Sequence, residues 1–402
     1  MKLRAWSVLW TATIINVIIG ILYIWSIISK ALINDLMWTS KEASLPYTLV
    51  TVSFVISMVF FGRIQDIKGP RLTATLAGIL LGGGLILSCF FLTPAGLAIT
   101  FGIITGSGIG IANVSTAPAA IKWFPPEKKG MITGIAVAGI GISAVFYAPL
   151  TNVLLQSVGI EKTFLYLGIG ALVLMVLLAQ ILTNPPKGYV PQSKAEKKKD
   201  TASAPQTFAK DVDWRGMLKN FSFYKLWLMY AFSASAGLMV IAHAAKIAEV
   251  QIGWQGGFYL VILLSVFNAT GRFLGGMVSD KIGRINLMRV IFMLQALNML
   301  AFALYSNVAT LAIGISVAGL CYGASFSVFP ATVIDLFGIK NFGVNYGLIM
   351  TGWGFGGVIG PMMAAAFYDA TKTYTTAYFV ACALLVFVFL VTFTFKKPAA
   401  RK

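Results

Sequence analysis

Arg272 stands in "LLSVFNATGRFLGGMVSD", with no other charge until Asp280. A guanidinium stays protonated and presents five N–H donors in a flat fork that fits a carboxylate at two points. The 13 Asp and Glu all fall in polar loops or near the ends of apolar stretches, Glu249 and Asp335 among them. None is placed to neutralise Arg272. Snorkelling or binding to backbone carbonyls would explain the residue structurally. A cavity that receives an organic anion would explain it functionally, and the absence of an acid favours that reading.

Few other residues offer chemistry. His243, the 1 histidine, lies in "GLMVIAHAAKIAEV" one turn before Lys246. It is either a hydrogen-bonded interface residue or a proton-handling or gating group, since imidazole alone titrates near neutrality unperturbed. Cys89, Cys321 and Cys382 lie inside apolar stretches and suggest neither a disulfide framework nor a metal site. "GSGIGIAN" and "GWGFGGVIG" look like pieces of nucleotide fingerprints, yet no strand precedes them and no acid follows at the required distance. Their small residues suit close helix packing in lipid. No cofactor and no metal is expected. An enzyme would need a cluster of titratable side chains, which the sequence does not offer.

One polar phrase occurs twice. "GRIQDIKGPR" runs from Gly62 to Arg71, and "GGMVSDKIGR" from Gly275 to Arg284. Gly62 aligns with Gly276, Asp66 with Asp280 and Gly69 with Gly283, while Arg284 falls one place earlier than Arg71. The glycines permit a tight turn and close helix approach. Each Asp can accept from backbone N–H groups or pair with its neighbouring cation.

The elements that position these residues follow from composition. The chain has 402 residues, 58% of them hydrophobic and 11% charged. That much apolar surface calls for lipid as solvent. Twelve transmembrane helices are expected, at about 6–30, 44–63, 71–93, 96–121, 130–156, 162–183, 223–246, 257–279, 286–305, 309–332, 343–368 and 373–395. The fold class is all-α integral membrane, and the first stretch reads as a retained helix rather than a signal peptide. Arg272 then lies about 12 Å inside its end of the eighth helix, near the middle of the hydrocarbon core. A charge there costs about 2.5–3.5 kcal/mol on insertion scales.

Of the 31 Lys and Arg, 25 fall on the side of the N-terminus and 5 on the other, Arg272 lying between. The positive-inside rule then puts both termini in the cytoplasm of a multi-pass protein of the cell membrane. The net charge of +18 is orientation charge in short loops, so no nucleic acid partner is expected. Residues 184–222 form a polar, Pro-rich cytosolic linker with one short helix near "DWRGMLKNF", between six-helix halves at 1–183 and 223–402. The halves echo each other. "STAPAA" from Ser115 parallels "SVFPAT" from Ser327, and "GMITGIAVAG" parallels "GLIMTGWGFG". Duplicated halves with a site between them are a transporter arrangement.

The repeated phrase resembles the loop 2–3 signature of the major facilitator superfamily. The phrases "GILYIWS", "KWFPPEKKG", "GRFLGGMVSDKIGR", "FPATVIDLFG" and "NFGVNYG" resemble its oxalate/formate antiporter family and, more distantly, the monocarboxylate transporters. The resemblance covers nearly the whole chain and implies the major facilitator fold. It implies that Gly62, Asp66, Gly69, Arg71, Gly276, Asp280, Gly283 and Arg284 latch the cytosolic side. It also implies that Arg272 binds the substrate carboxylate and that Tyr23 lines the site. Three positions depart from the oxalate carriers: Trp353 replaces a lysine, and Asn113 and Ile140 replace tyrosines. Asn268 stands where the animal monocarboxylate transporters carry a proton-handling Asp. One cation suits one carboxylate. Arg272, Tyr23, Asn113, Asn268, Tyr322 and Trp353 are therefore the expected substrate-binding set, with His243 in coupling or gating.

The expected function is secondary transport of a small monocarboxylate such as lactate, pyruvate or formate, coupled to a proton or a counter-anion. Oxalate/formate exchange is the alternative, and a membrane sensor or enzyme represents the other classes.

Overall fold

The computed structural model describes residues 2–186, 188–189, 211–254 and 256–395. Every regular element among them is helical. Within lipid a backbone must satisfy its own N–H and C=O groups, and these apolar stretches do so as helices. Among the described residues eleven helices are long and apolar enough to cross a membrane. One of them, Lys129–Ala179, breaks at Gly159 (φ +78°) and crosses twice, so the chain makes twelve crossings.

We number the crossings as spans 1 to 12. Span 1 joins α1 (Lys2–Ile19) through a 3-10 turn (Gly20–Ile24) to α2 (Trp25–Leu36). Span 2 is α3 (Ser40–Lys68) and span 3 is α4 (Pro70–Phe90). Span 4 runs from α5 (Pro94–Leu97) through a π-helical stretch (Ala98–Thr105) into α6 (Gly106–Ile121). Spans 5 and 6 are the two arms of α7 (Lys129–Ala179). A short α8 (Trp214–Leu218) precedes spans 7 to 12, which are α9 (Phe221–Ile252), α10 (Gly257–Ile282), α11 (Arg284–Phe302), α12 (Val308–Phe337), α13 (Phe342–Thr371) and α14 (Thr375–Val391). Much of the expected linker, 190–210, lies outside the described residues. Its end is tied down: Asp213 caps α8 by accepting from Gly216 N, and Val212 N donates to Phe337 O at 2.9 Å.

Two seams join the halves on the side where α1 begins, called here the N-terminal side. At one, Gly62 of span 2 abuts Gly343 of span 11, backbone against backbone. At the other, Gly276 of span 8 abuts Gly130 of span 5 in the same way. Any side chain at these positions would wedge the halves apart. The two carboxylates of the repeated phrase close the seams. Asp66 accepts from Gly343 N (2.9 Å) and Val344 N (3.1 Å). Asp280 accepts from Gly130 N (3.0 Å) and Met131 N (2.8 Å). Each thereby satisfies orphan donors at the start of a helix in the opposite half, where the helix dipole also favours a negative charge. Gly69 (φ +86°) and Gly283 (φ +89°) make the turns that follow, in a conformation a side chain would strain.

The arginines of the two phrases behave differently. Arg284 pairs with Asp280 (2.6 Å) and with Asp335 (3.0 Å), and Asp335 reaches Lys129 of the first half (3.4 Å). Arg71, expected in the latch, is a correction: its Nε donates to Gln180 within its own half at 2.7 Å. One residue of helix is about 100° of rotation. The single-place offset noted in the sequence turns Arg71 away from the seam.

Candidate functional site

Between the halves lies a cavity of ≈ 30 Å³, bordered by Tyr23, Asn113 and Ile140 of the first half and by Arg272, Phe326 and Trp353 of the second. Span 1 delivers Tyr23 there through its 3-10 turn. Gly20 packs directly against Ser143, whose hydroxyl donates to the Gly20 carbonyl at 3.1 Å.

Arg272 is fully buried, at 0% exposure. Nε donates to Asn268 Oδ1 (3.0 Å), one Nη to the Val137 carbonyl of span 5 (3.0 Å) and the other to Tyr23 Oη (3.5 Å). Its guanidinium lies 4.1 Å over the centre of the Phe326 ring. Ser327 Oγ bonds the Arg272 carbonyl and holds the helix in place. Among the described residues no carboxylate pairs with Arg272. The backbone-carbonyl partner considered from the sequence is therefore present, as one of three neutral acceptors. Neutral acceptors position a guanidinium without cancelling its charge, so an anion beside it is still attracted.

The structure brings Arg272, Tyr23, Asn113 and Trp353 together around the cavity and sets Asn268 and Tyr322 behind them. Asn268 anchors Nε, while Tyr322 Oη accepts from Trp353 Nε1 at 3.0 Å. The indole donor is thus spent away from the cavity, and Trp353 offers it a ring face. The Asn113 side chain is buried and borders the cavity with no hydrogen bond to the described protein, which leaves a donor and an acceptor for a polar guest. Two contributors escaped the sequence. Phe326 lies one turn beyond Tyr322 on the same face of α12, a spacing that does signal it. The Val137 carbonyl is backbone and carries no signal in residue type.

A second cavity of ≈ 360 Å³ lies on the far side of Trp353, bordered by Tyr47, Thr51, Leu238, His243 and Pro361 as well as Trp353 itself. The indole ring is therefore the partition between the two spaces. His243 does not reach Arg272. It sits on the outer wall, with Nε2 3.2 Å from the Pro361 carbonyl and Nδ1 3.3 Å from Tyr374 Oη. A carbonyl only accepts, so Nε2 carries the proton, and the ring ties span 7 to span 11 and to the start of span 12. With the N-terminal seams shut and the larger cavity on the opposite side, the two halves are closed below and parted above.

The sequence model described as Major Facilitator Superfamily matches residues 9–304 and 238–402. The chain belongs to the Major Facilitator Superfamily. Within it, the chain is 29% identical over 359 residues to an uncharacterized MFS-type transporter of Escherichia coli strain K12, covering 88% of this chain and 86% of that one. It is 28% identical over 383 residues to the oxalate:formate antiporter of Oxalobacter formigenes, covering 92% and 87%. It is 26% identical over 358 residues to the apicoplast pyruvate carrier 1 of Toxoplasma gondii, covering 73% and 64%. Among solved structures it is similar to the proton:xylose symporter XylE (TM-score 0.72, 15% identity, 98% and 96% covered). The human organic anion transporter MFSD10 gives a TM-score of 0.71 at 12% identity, with 98% and 99% covered. These likenesses establish the superfamily fold: an all-α, multi-pass membrane protein of two six-helix halves, in a family of transporters rather than enzymes.

Proposed function

We propose that this superfamily member carries a small monocarboxylate such as lactate, pyruvate or formate across the cell membrane, with both termini in the cytoplasm. One observation carries the reading. A fully buried guanidinium, supported among the described residues by neutral acceptors, borders a cavity between the halves. The carboxylate binds Arg272 beside Tyr23 and Asn113, with its short apolar end against Trp353, Phe326 and Ile140. The latch residues Gly62, Asp66, Gly69, Gly276, Asp280, Gly283 and Arg284 hold the cytosolic side shut, and rocking of the halves alternates access. The relatives named for oxalate, formate and pyruvate support an organic anion as cargo.

Moving an anion into a negative interior is uphill, and a co-transported proton makes the step electroneutral. We propose that the substrate carboxyl takes up that proton as it leaves Arg272, whose charge favours the ionised carboxylate, and give His243 a gating role on the outer wall. Purified protein in liposomes, offered labelled formate, acetate, lactate, pyruvate and oxalate, tests the proposal. Uptake of at least one monocarboxylate is expected, with accumulation rising up to about tenfold per unit of inward pH gradient at one proton per substrate. His243→Ala should slow uptake and keep the gradient response. A gradient response lost in His243→Ala assigns the proton to the imidazole instead. A wild type indifferent to the gradient rejects symport and favours anion exchange.

A further inference from the structure

The cavity beside Arg272 measures ≈ 30 Å³. That is room for about two waters, at ~10–15 Å³ each. A carboxylate with a carbon chain behind it does not fit, so part of the border must move to admit one. Close-packed side chains have little room to do so. Trp353 is different. Among the described residues it alone borders both this cavity and the ≈ 360 Å³ cavity beyond it. Its ring therefore has open space to retreat into. Its backbone does not: Gly352 and Gly356 lay α13 directly on the Trp227 and Ala231 carbonyls of span 7. The side chain is the part free to turn. Three contacts hold the indole where it is. Nε1 donates to Tyr322 Oη at 3.0 Å. Phe326 meets the ring edge-on, with centres 5.8 Å apart. Phe54 of span 2 meets it at 5.3 Å, tilted by 54°. Phe54 belongs to the opposite half, so the indole bridges the halves above Arg272. The hydrogen bond is the directional contact of the three and fixes which way the ring faces.

We propose that Trp353 is a side-chain door between the larger cavity and the Arg272 site, and that Tyr322 is the positioning residue that holds it shut. The inference deepens the function proposed above and rests on it for the nature of the cargo. As the acid enters, the ring turns back into the larger cavity and its N–H leaves Tyr322. With the carboxylate on Arg272, the ring closes over the apolar end of the acid, short of its present position. The bond to Tyr322 then belongs to the empty, shut site alone. Tyr322 and the cargo compete for the placement of one ring, so the tyrosine opposes binding rather than assisting it.

The test places Ile140→Cys at the small cavity of the full chain, with Cys89→Ala, Cys321→Ala and Cys382→Ala, in membrane vesicles of either orientation. The readout is the rate at which a small, membrane-impermeant methanethiosulfonate modifies that thiol from each face, without cargo. From the face opposite the N-terminal side, Tyr322→Phe should raise the rate about fivefold, the loss of one neutral hydrogen bond. Trp353→Ala should raise it further. Tyr322→Phe added to Trp353→Ala should change nothing more, because Tyr322 acts through the indole. Modification from the N-terminal face should be equal in all, which separates a door from a general shift between states. A rate untouched by either substitution overturns the door, and a Tyr322→Phe effect that survives Trp353→Ala overturns the role of Tyr322. In uptake of labelled lactate and pyruvate, Tyr322→Phe should lower the half-saturating concentration; a rise would make Tyr322 a binding residue instead. If wild type carries neither acid while the modification pattern holds, the door stands and the monocarboxylate reading falls.

Discussion

Arg272→Ala reduces monocarboxylate uptake in liposomes by at least about 100-fold, the loss expected when a buried, charge-assisted contact is removed. The protein should remain folded, because Val137 and Tyr23 each lose one hydrogen bond from the guanidinium and Asn268 keeps its place on α10. Arg272→Lys retains the charge and should still be strongly impaired. An ammonium has no fork, so it cannot hold Asn268, the Val137 carbonyl, Tyr23 and a carboxylate at once. The measurement is initial uptake normalised to reconstituted protein, with size-exclusion profiles to verify folding. Wild-type uptake by Arg272→Ala would place the anion elsewhere and remove the basis of the proposed function.

Wild-type protein should prefer monocarboxylates to oxalate by about 100-fold or more, because the second carboxylate of oxalate would be buried against Trp353 without a charge to meet it. The geometry sharpens this expectation. The indole N–H is already bonded to Tyr322, so the ring contributes no donor at all to the cavity. Trp353→Lys supplies a second cation at that wall and should invert the ranking, weakening uptake of lactate and pyruvate while raising competition by oxalate. Asn113 and Ile140 set a limit on the gain, since neither provides the phenol found in the oxalate carriers. Competition by unlabelled formate, acetate, lactate, pyruvate and oxalate reads the change. Preference of the wild type for oxalate over every monocarboxylate would replace this account with exchange of the oxalate/formate kind.

The fold was legible because lipid imposes a simple grammar: long apolar runs, polar loops and a charge asymmetry. Even the break between spans 5 and 6 showed, where Glu161 and Lys162 interrupt the apolar run near Gly159. Arg272 was legible for the complementary reason that a lone charge within such a run demands an explanation. Its surroundings were less so. Whether Tyr322 borders the cavity or backs Trp353 depends on helix rotation, which an apolar pattern on all sides of α12 does not reveal. The Arg71 assignment failed on one residue of offset, and the Val137 carbonyl carries no mark in the sequence.

The two N-terminal seams are related in sequence but not in strength. At the span 5–8 seam the Asp280 carboxylate is backed by Arg284, Asp335 and Lys129. At the span 2–11 seam Asp66 has no ion pair behind it: among the described residues none crosses that seam, and Arg63 bonds the Asn341 amide at 3.4 Å. Closure should therefore fray from one edge, like a book with one cover clasped and the other merely shut. Amide hydrogen exchange reports this directly. The Gly343 and Val344 N–H groups should exchange faster than those of Gly130 and Met131. Added salt should narrow the gap by screening the half-exposed Asp335 pairs while touching the span 2–11 seam, which no ion pair crosses among the described residues, less. Equal exchange at both seams at low salt would mean that the extra charges contribute nothing to holding the halves together.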